Sequence, residues 1–191
     1  MRKILLLLTF FSAFISNAQT FRISIADSLK QPALDGRLLL LLSKSNTAEP
    51  RFQVGFSANT QLVFGVNVDN WQPGSDKMAD MHAFGYPLER LSDVPAGDYY
   101  VQVLLHKYET FHLQTGQTVK LPMDRGEGQH WNIAPGNIYS TPIKIHFDSK
   151  KMNEVHLVID KIIPPIKEPE DTKYIKHIKI QSKLLTAFWG R

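Results

Sequence analysis

The chain has 191 residues, 22 lysines and arginines against 18 acids, and no cysteine. The near balance of charge, with no basic stripe interleaved with aromatics, excludes a nucleic-acid-binding footprint. The missing thiol excludes disulfide staples and cysteine nucleophiles.

Reading from the start, Met1-Arg2-Lys3 is basic, Ile4 to Ile15 is almost wholly apolar, and Ser16-Asn17-Ala18 is small and polar. This is the three-part pattern of a secretory signal peptide over residues 1–18, cut after Ala18. The apolar run is short for a membrane span, so an exported chain, periplasmic or extracellular and no longer membrane-bound after cleavage, is expected. Loss of Arg2 and Lys3 leaves 20 basic against 18 acidic residues, a net charge of about +2.

Strand signals then follow one another. Phe21 to Ala26 alternates apolar and polar residues, and Gly36 to Ser43 is a short continuous apolar run of the kind found in strands covered on both faces. Thr60 to Asp69 alternates again. After a Pro-Ala-Gly turn, Asp98 to Tyr108 places Tyr99, Val101, Val103 and Leu105 on one face, with the more polar Tyr100, Gln102, His106 and Tyr108 on the other. His106 is therefore expected to face solvent or a neighbouring strand. Phe111 to Leu121 reads as a hairpin around Thr115-Gly116-Gln117. The segments 141–147 and 154–162 complete the series. The expected fold is all-β, an antiparallel, immunoglobulin-like β-sandwich of seven to eight strands over residues 19–165.

Residues 166–173, proline- and charge-rich, read as a linker. Residues 174–191 regain apolar content in a pattern that suits a strand and then a short amphipathic helix. Large apolar side chains so close behind a linker suggest the opening of a further domain; a C-terminal element folding back on the sandwich is the other reading.

The chemistry-bearing residues concentrate in one loop, "LPMDRGEGQHWN", residues 121–132. Gly126 and Gly128 permit a tightly wound backbone. Asp124, Arg125 and Glu127 suit a local ion pair, and Trp131 suits an amphipathic plug. Three roles stay open for Asp124, Arg125, Glu127, His130 and Trp131: a structural knot or inter-domain contact, a ligand loop, or a catalytic Glu127–His130 pair. The last lacks a nucleophile. The nearest approach to a Gly-x-Ser-x-Gly elbow, Gly55 to Asn59, lacks its second glycine and leads into a strand. No metal site is expected. His106, Glu109 and His112 converge only on a helix. His146 and His156, on successive strands, suit a surface pair across a hairpin. No cofactor is implied. Trp71, Tyr86, Tyr108 and Trp131 are the aromatics available to a carbohydrate-binding face.

The chain resembles the N-terminal region of large secreted bacterial proteins classed as esterases. The resemblance rests on "AEPRFQV" (48–54), "VFGVNVD" (63–69), "PAGDYYVQVLLHKYETFH" (95–112), "VKLPMDRGEGQHWNIAPGNIYSTP" (119–142) and "DTKYIKHIKIQSKLLTAFWGR" (171–191). In that family an α/β-hydrolase-like domain follows the last block. The resemblance thus implies a non-catalytic accessory domain partnered by a hydrolase domain, and it assigns no catalytic residue here. An autonomous extracellular carbohydrate-binding module is the alternative.

Overall fold

The computed structural model describes residues 19–167, 169–178 and 180–189; the expected signal peptide lies outside them. Eleven strands are formed among the described residues: β1 (Thr20–Ile25), β2 (Leu34–Ser43), β3 (Leu62–Trp71), β4 (Lys77–Ala79), β5 (Phe84–Tyr86), β6 (Gly97–Lys107), β7 (Glu109–His112), β8 (Thr118–Leu121), β9 (Ile138–Ser140), β10 (Ile143–Phe147) and β11 (Glu154–Ile162). Among the described residues one short α-helix, α1 (Lys183–Trp189), lies in the tail. No described helix is long and apolar enough to cross a membrane.

Nine strands make one curled sheet in the order β4-β1-β11-β9-β6-β2-β3-β5, with β10 also paired to β6. The all-β, sandwich-like class holds. The wholly antiparallel expectation does not, because β1 runs parallel to β11, Thr20 opposite Glu154 through Ile25 opposite Ile159. A continuous mixed sheet of this kind does not establish an immunoglobulin-like strand order. Strand β6 is long enough to serve two partners on one side: β10 beside its first half and β9 beside its second.

Period-2 alternation sends one set of side chains into the space the sheet encloses. Phe21 and Ile23 of β1, Leu38, Leu40 and Leu42 of β2, Tyr99 to Leu105 at alternate positions of β6, and Leu157 and Ile159 of β11 are buried there in one cluster. Phe147 stacks on Phe21 at 6.3 Å and meets the edge of Tyr99 at 6.2 Å. Trp71 is wholly buried and donates its indole N–H to the Ser75 carbonyl at 2.9 Å. That excludes it from any carbohydrate platform.

The opposite face is also partly covered, and this positions the candidate loop. Leu41, Leu104 and Ile163 form a second buried cluster there, with Leu39, Val54, Val63, Trp131 and Tyr139 packed on it. The β2 run is apolar on both sides for this reason. Hairpin β7–β8 stands apart as a two-stranded sheet. Lys120 ties it to the body through Asp35, at 3.0 Å, and Asp69.

After Ile163 the described residues up to Gln181 form neither strand nor helix. The strand expected early in the tail is therefore not formed among the described residues, whereas the short helix expected after it is α1. Backbone groups there are met locally instead: Thr172 Oγ1 accepts from the amides of Tyr174 and Ile175, and Asp171 Oδ1 accepts from that of His177.

Candidate functional site

The loop between β8 and β9 is wound upon itself. Asp124 Oδ1 accepts the amides of Gly126 (2.8 Å) and Gly128 (3.3 Å), and Glu127 Oε2 accepts that of Arg125 (2.7 Å). Gly126 and Gly128 have φ of +107° and +65°, the left-handed region that glycine enters without strain. Amides turned toward a common point make an anion cradle in many proteins; here the chain's own carboxylates fill it.

The expected local ion pair is corrected by this geometry. Arg125 directs its guanidinium away from Asp124 and Glu127 and onto Glu109 of β7. Two residues of separation on a tight turn leave Glu127 nearer the Arg125 amide than its side-chain end. Arg125 and Glu109 are each about half exposed (50% and 48%), and such pairs contribute under about 1 kcal/mol. Arg125→Ala should accordingly lower stability by less than about 1 kcal/mol, as read by urea denaturation.

The remaining loop residues separate. Glu127 is buried, whereas His130 is exposed, and no hydrogen bond joins them among the described residues. The Glu127–His130 pair considered for catalysis is not formed. Glu127 instead lies close enough to act electrostatically on His106. Burial pushes the His106 imidazole below its ordinary value, and the Glu127 charge partly offsets this. His106, expected to face solvent or a neighbouring strand, is half-buried beside the loop, with Tyr108 edge-on at 5.6 Å. Because its folded pKa is lowered, the stability it contributes is present above pH 6.5 and is lost as pH falls through the folded value. Two-dimensional NMR should show the ring titrating below the free-imidazole value, and Glu127→Gln should lower it further.

Trp131 sits as a plug on the outer cluster of Leu41, Leu104 and Ile163. Its carbonyl accepts Asn137 Nδ2 at 2.8 Å. The cleft beside the loop, lined by His106, Tyr108, Glu109, Met123, Arg125 and Asn137, has about 110 Å³. Small-molecule sites occupy roughly 300 Å³ or more, so this cleft encloses no drug-sized ligand.

One constellation gave no signal in the sequence. Arg51, on the turn before β3, is 8% exposed and lies between the rings of Phe52 (4.3 Å) and Tyr139 (4.2 Å). Its Nε donates to Glu49 Oε2 at 2.8 Å and a terminal nitrogen donates to the Asn132 carbonyl at 2.7 Å. Gln102, wholly buried, accepts the Arg51 amide and donates to Glu49 and to the Ser140 carbonyl. Burial pushes the Glu49 carboxyl up, but the hydrogen bonds from Gln102 and Arg51 prevail and hold it below the usual carboxylate range. This network locks the loop before β3, the centre of β6 and the candidate loop together.

The histidines do not gather. His146 pairs with Asp98 at 2.9 Å because β10 lies on β6, not beside β11. His156 shares a 2.9 Å hydrogen bond with Ser24 Oγ across the parallel β1–β11 pair. The hairpin pairing expected of His146 and His156 is thus replaced by two separate contacts. Ser24–His156 has the spacing of a nucleophile and base, but no carboxylate is hydrogen-bonded to His156 among the described residues. No group of three or more metal-ligating side chains is found among them either.

No family model, curated protein or solved structure matches the chain.

Proposed function

We propose that residues 19–165 form a non-catalytic accessory domain of an exported esterase-like protein, supporting or positioning a hydrolase domain. One observation carries this reading: the tail leaves large apolar side chains exposed. Tyr174, Ile178, Ile180 and Leu184 are 74–84% and 85% exposed. Burying such a side chain is worth about 1.5–3 kcal/mol, and the sheet's own core is filled without them.

The charge pattern agrees. Residues 172–191 hold five cations (Lys173, Lys176, Lys179, Lys183, Arg191) and no acid. Residues 19–171 hold 15 cations against 18 acids, a net charge of −3. A cationic, apolar segment on an acidic body suits an apolar, acid-bearing partner surface. The self-satisfied loop at 121–132 supports a structural part for that segment over a ligand-binding one, and the resemblance supplies the hydrolase as the kind of partner.

The test has two parts. The reading frame beyond the Arg191 codon should remain open and encode a Gly-x-Ser-x-Gly stretch; a stop codon there would overturn the accessory reading. Purified 19–191 should not turn over p-nitrophenyl acetate or butyrate above background. Saturable turnover abolished by Ser24→Ala would instead make this chain an enzyme through its Ser24–His156 contact.

A further inference from the structure

We propose that the shallow groove along β5 is a subsite for a neutral pyranose unit of a polysaccharide. Strand β5 pairs antiparallel with β3, Tyr86 opposite Val63 and Phe84 opposite Gly65. Residues two apart on a strand share a face, about 7 Å from one another. Phe84 and Tyr86 therefore stand side by side, and they are 62% and 48% exposed.

Two glycines shape the ground between them and β2. A Cβ on Gly85 would run into the Phe64 ring, so glycine lets β5 lie close on β3. A Cβ on Gly65 would run into the Arg37 guanidinium. Its absence lets that guanidinium lie flat across the floor, donating to Asn67 Oδ1 at 2.7 Å and to the Gly65 carbonyl at 3.4 Å. Leu39 and Val63 complete a cleft of about 160 Å³.

The chemistry selects the occupant. The outer edge of β5 is already used: the Gly85 amide donates to the Glu89 carbonyl at 2.8 Å, and Phe84 bridges to Arg90. An extended peptide therefore has no edge on which to add a strand. The cleft is below the roughly 300 Å³ of enclosed small-molecule sites, yet it is open, so a chain can lie across it with one unit engaged. Arg37 directs a donor of each terminal nitrogen onto neutral oxygens of Asn67 and Gly65, so its fork is not free to clasp an anion by two parallel bonds. What fits is a ring with polarised C–H faces to lie on electron-rich aromatic faces and a rim of hydroxyls within reach of Arg37, Asn67 and the Tyr86 hydroxyl. Two exposed aromatics fixed on a short, doubly anchored strand supply that contact at little cost in conformational entropy.

This inference stands independently of the accessory reading. The test is native affinity electrophoresis of residues 19–191 through gels holding xylan, mixed-linkage β-glucan, galactomannan or polygalacturonate. At least one neutral polysaccharide should retard the protein, and Phe84→Ala/Tyr86→Ala should weaken that retardation at least about tenfold. That factor corresponds to about 1.4 kcal/mol. Titration with the matching hexasaccharide should shift amide resonances of 63–65 and 84–86, a readout that needs no variant. No retardation by any neutral polysaccharide, retardation by polygalacturonate alone, or binding indifferent to both aromatics would overturn the proposal. A chain lacking 172–191 should bind unchanged, which separates this site from the fate of the tail.

Discussion

Arg51→Ala should lower the unfolding free energy by about 2–3 kcal/mol. The side chain makes four contacts at once: two ring faces, the Glu49 carboxylate and the Asn132 carbonyl. Removing one member of a buried ion pair costs about 3–5 kcal/mol, because its partner stays desolvated and unpaired. Glu49 keeps 36% of its side chain exposed, so water relieves part of that cost and the loss falls below the fully buried range. Arg51→Lys should fall between alanine and the native residue, since an ammonium keeps the charge but not the flat fork that lies between two rings. Urea denaturation monitored by tryptophan fluorescence reads both. A loss under about 0.5 kcal/mol for alanine, the range of ordinary surface changes, would mean that the network does not hold the loops together.

Trp131→Ala should cost about 2–3 kcal/mol, and the loss should fall on the outer face of the sheet. Full burial of an aromatic is worth about 3–5 kcal/mol by truncation, and Trp131 is only partly buried. Its removal uncovers Leu41 and Leu104, both wholly buried beneath the loop. Hydrogen exchange should therefore quicken at β2 and β6 amides near these two residues while β1 and β11 keep their protection. The Arg51 and Trp131 changes should be less than additive when combined, because Arg51 binds the carbonyl of the residue next to Trp131. A cost below about 1 kcal/mol, together with unchanged exchange, would show that the loop lies on the sheet without supporting it.

Much of this fold is legible in the sequence where the period is long enough to read. The runs at 21–26, 36–43, 60–69 and 98–108 become β1, β2, β3 and β6 within two or three residues, and the hairpin around Gly116 forms as β7 and β8. In β6 the expected inward face, Tyr99, Val101, Val103 and Leu105, is 0–1% exposed. Three strands escape such reading. β4, β5 and β9 have three residues each, which is less than two periods of alternation. The parallel β1–β11 pairing escapes it as well, since strand direction depends on a return path of more than a hundred residues. The same holds for the outer face of β6. Gln102 looks solvent-facing in a local pattern, yet it is buried because the Pro50 turn and β9 arrive from elsewhere in the chain.

Within the candidate loop, composition identified the residues but not their partners. Asp124, Arg125 and Glu127 invited a mutual pairing by proximity. The backbone amides were nearer than the guanidinium, and Glu109 was brought within reach only by the β7–β8 hairpin. Arg51 had no local mark at all, because a buried cation is recognised by the rings and carbonyl that surround it. Phe52 and Glu49 are close in the chain, but the second ring and the carbonyl come from residues 139 and 132.

The parallel union of β1 with β11 sets the start of β1 and the departure of the tail at opposite ends of β11. Thr20 lies beside Glu154, at the start of β11, while the tail departs beyond Ile162, eight residues further along the same direction. At about 3.3 Å per residue that is a separation of roughly 26 Å. A label fused ahead of residue 20 therefore sits beside the start of β11, away from the strand end at Ile162. Beyond that end the chain first turns back over the outer face, where Ile163 joins the cluster under Trp131 and Ile166 comes close to Gly126.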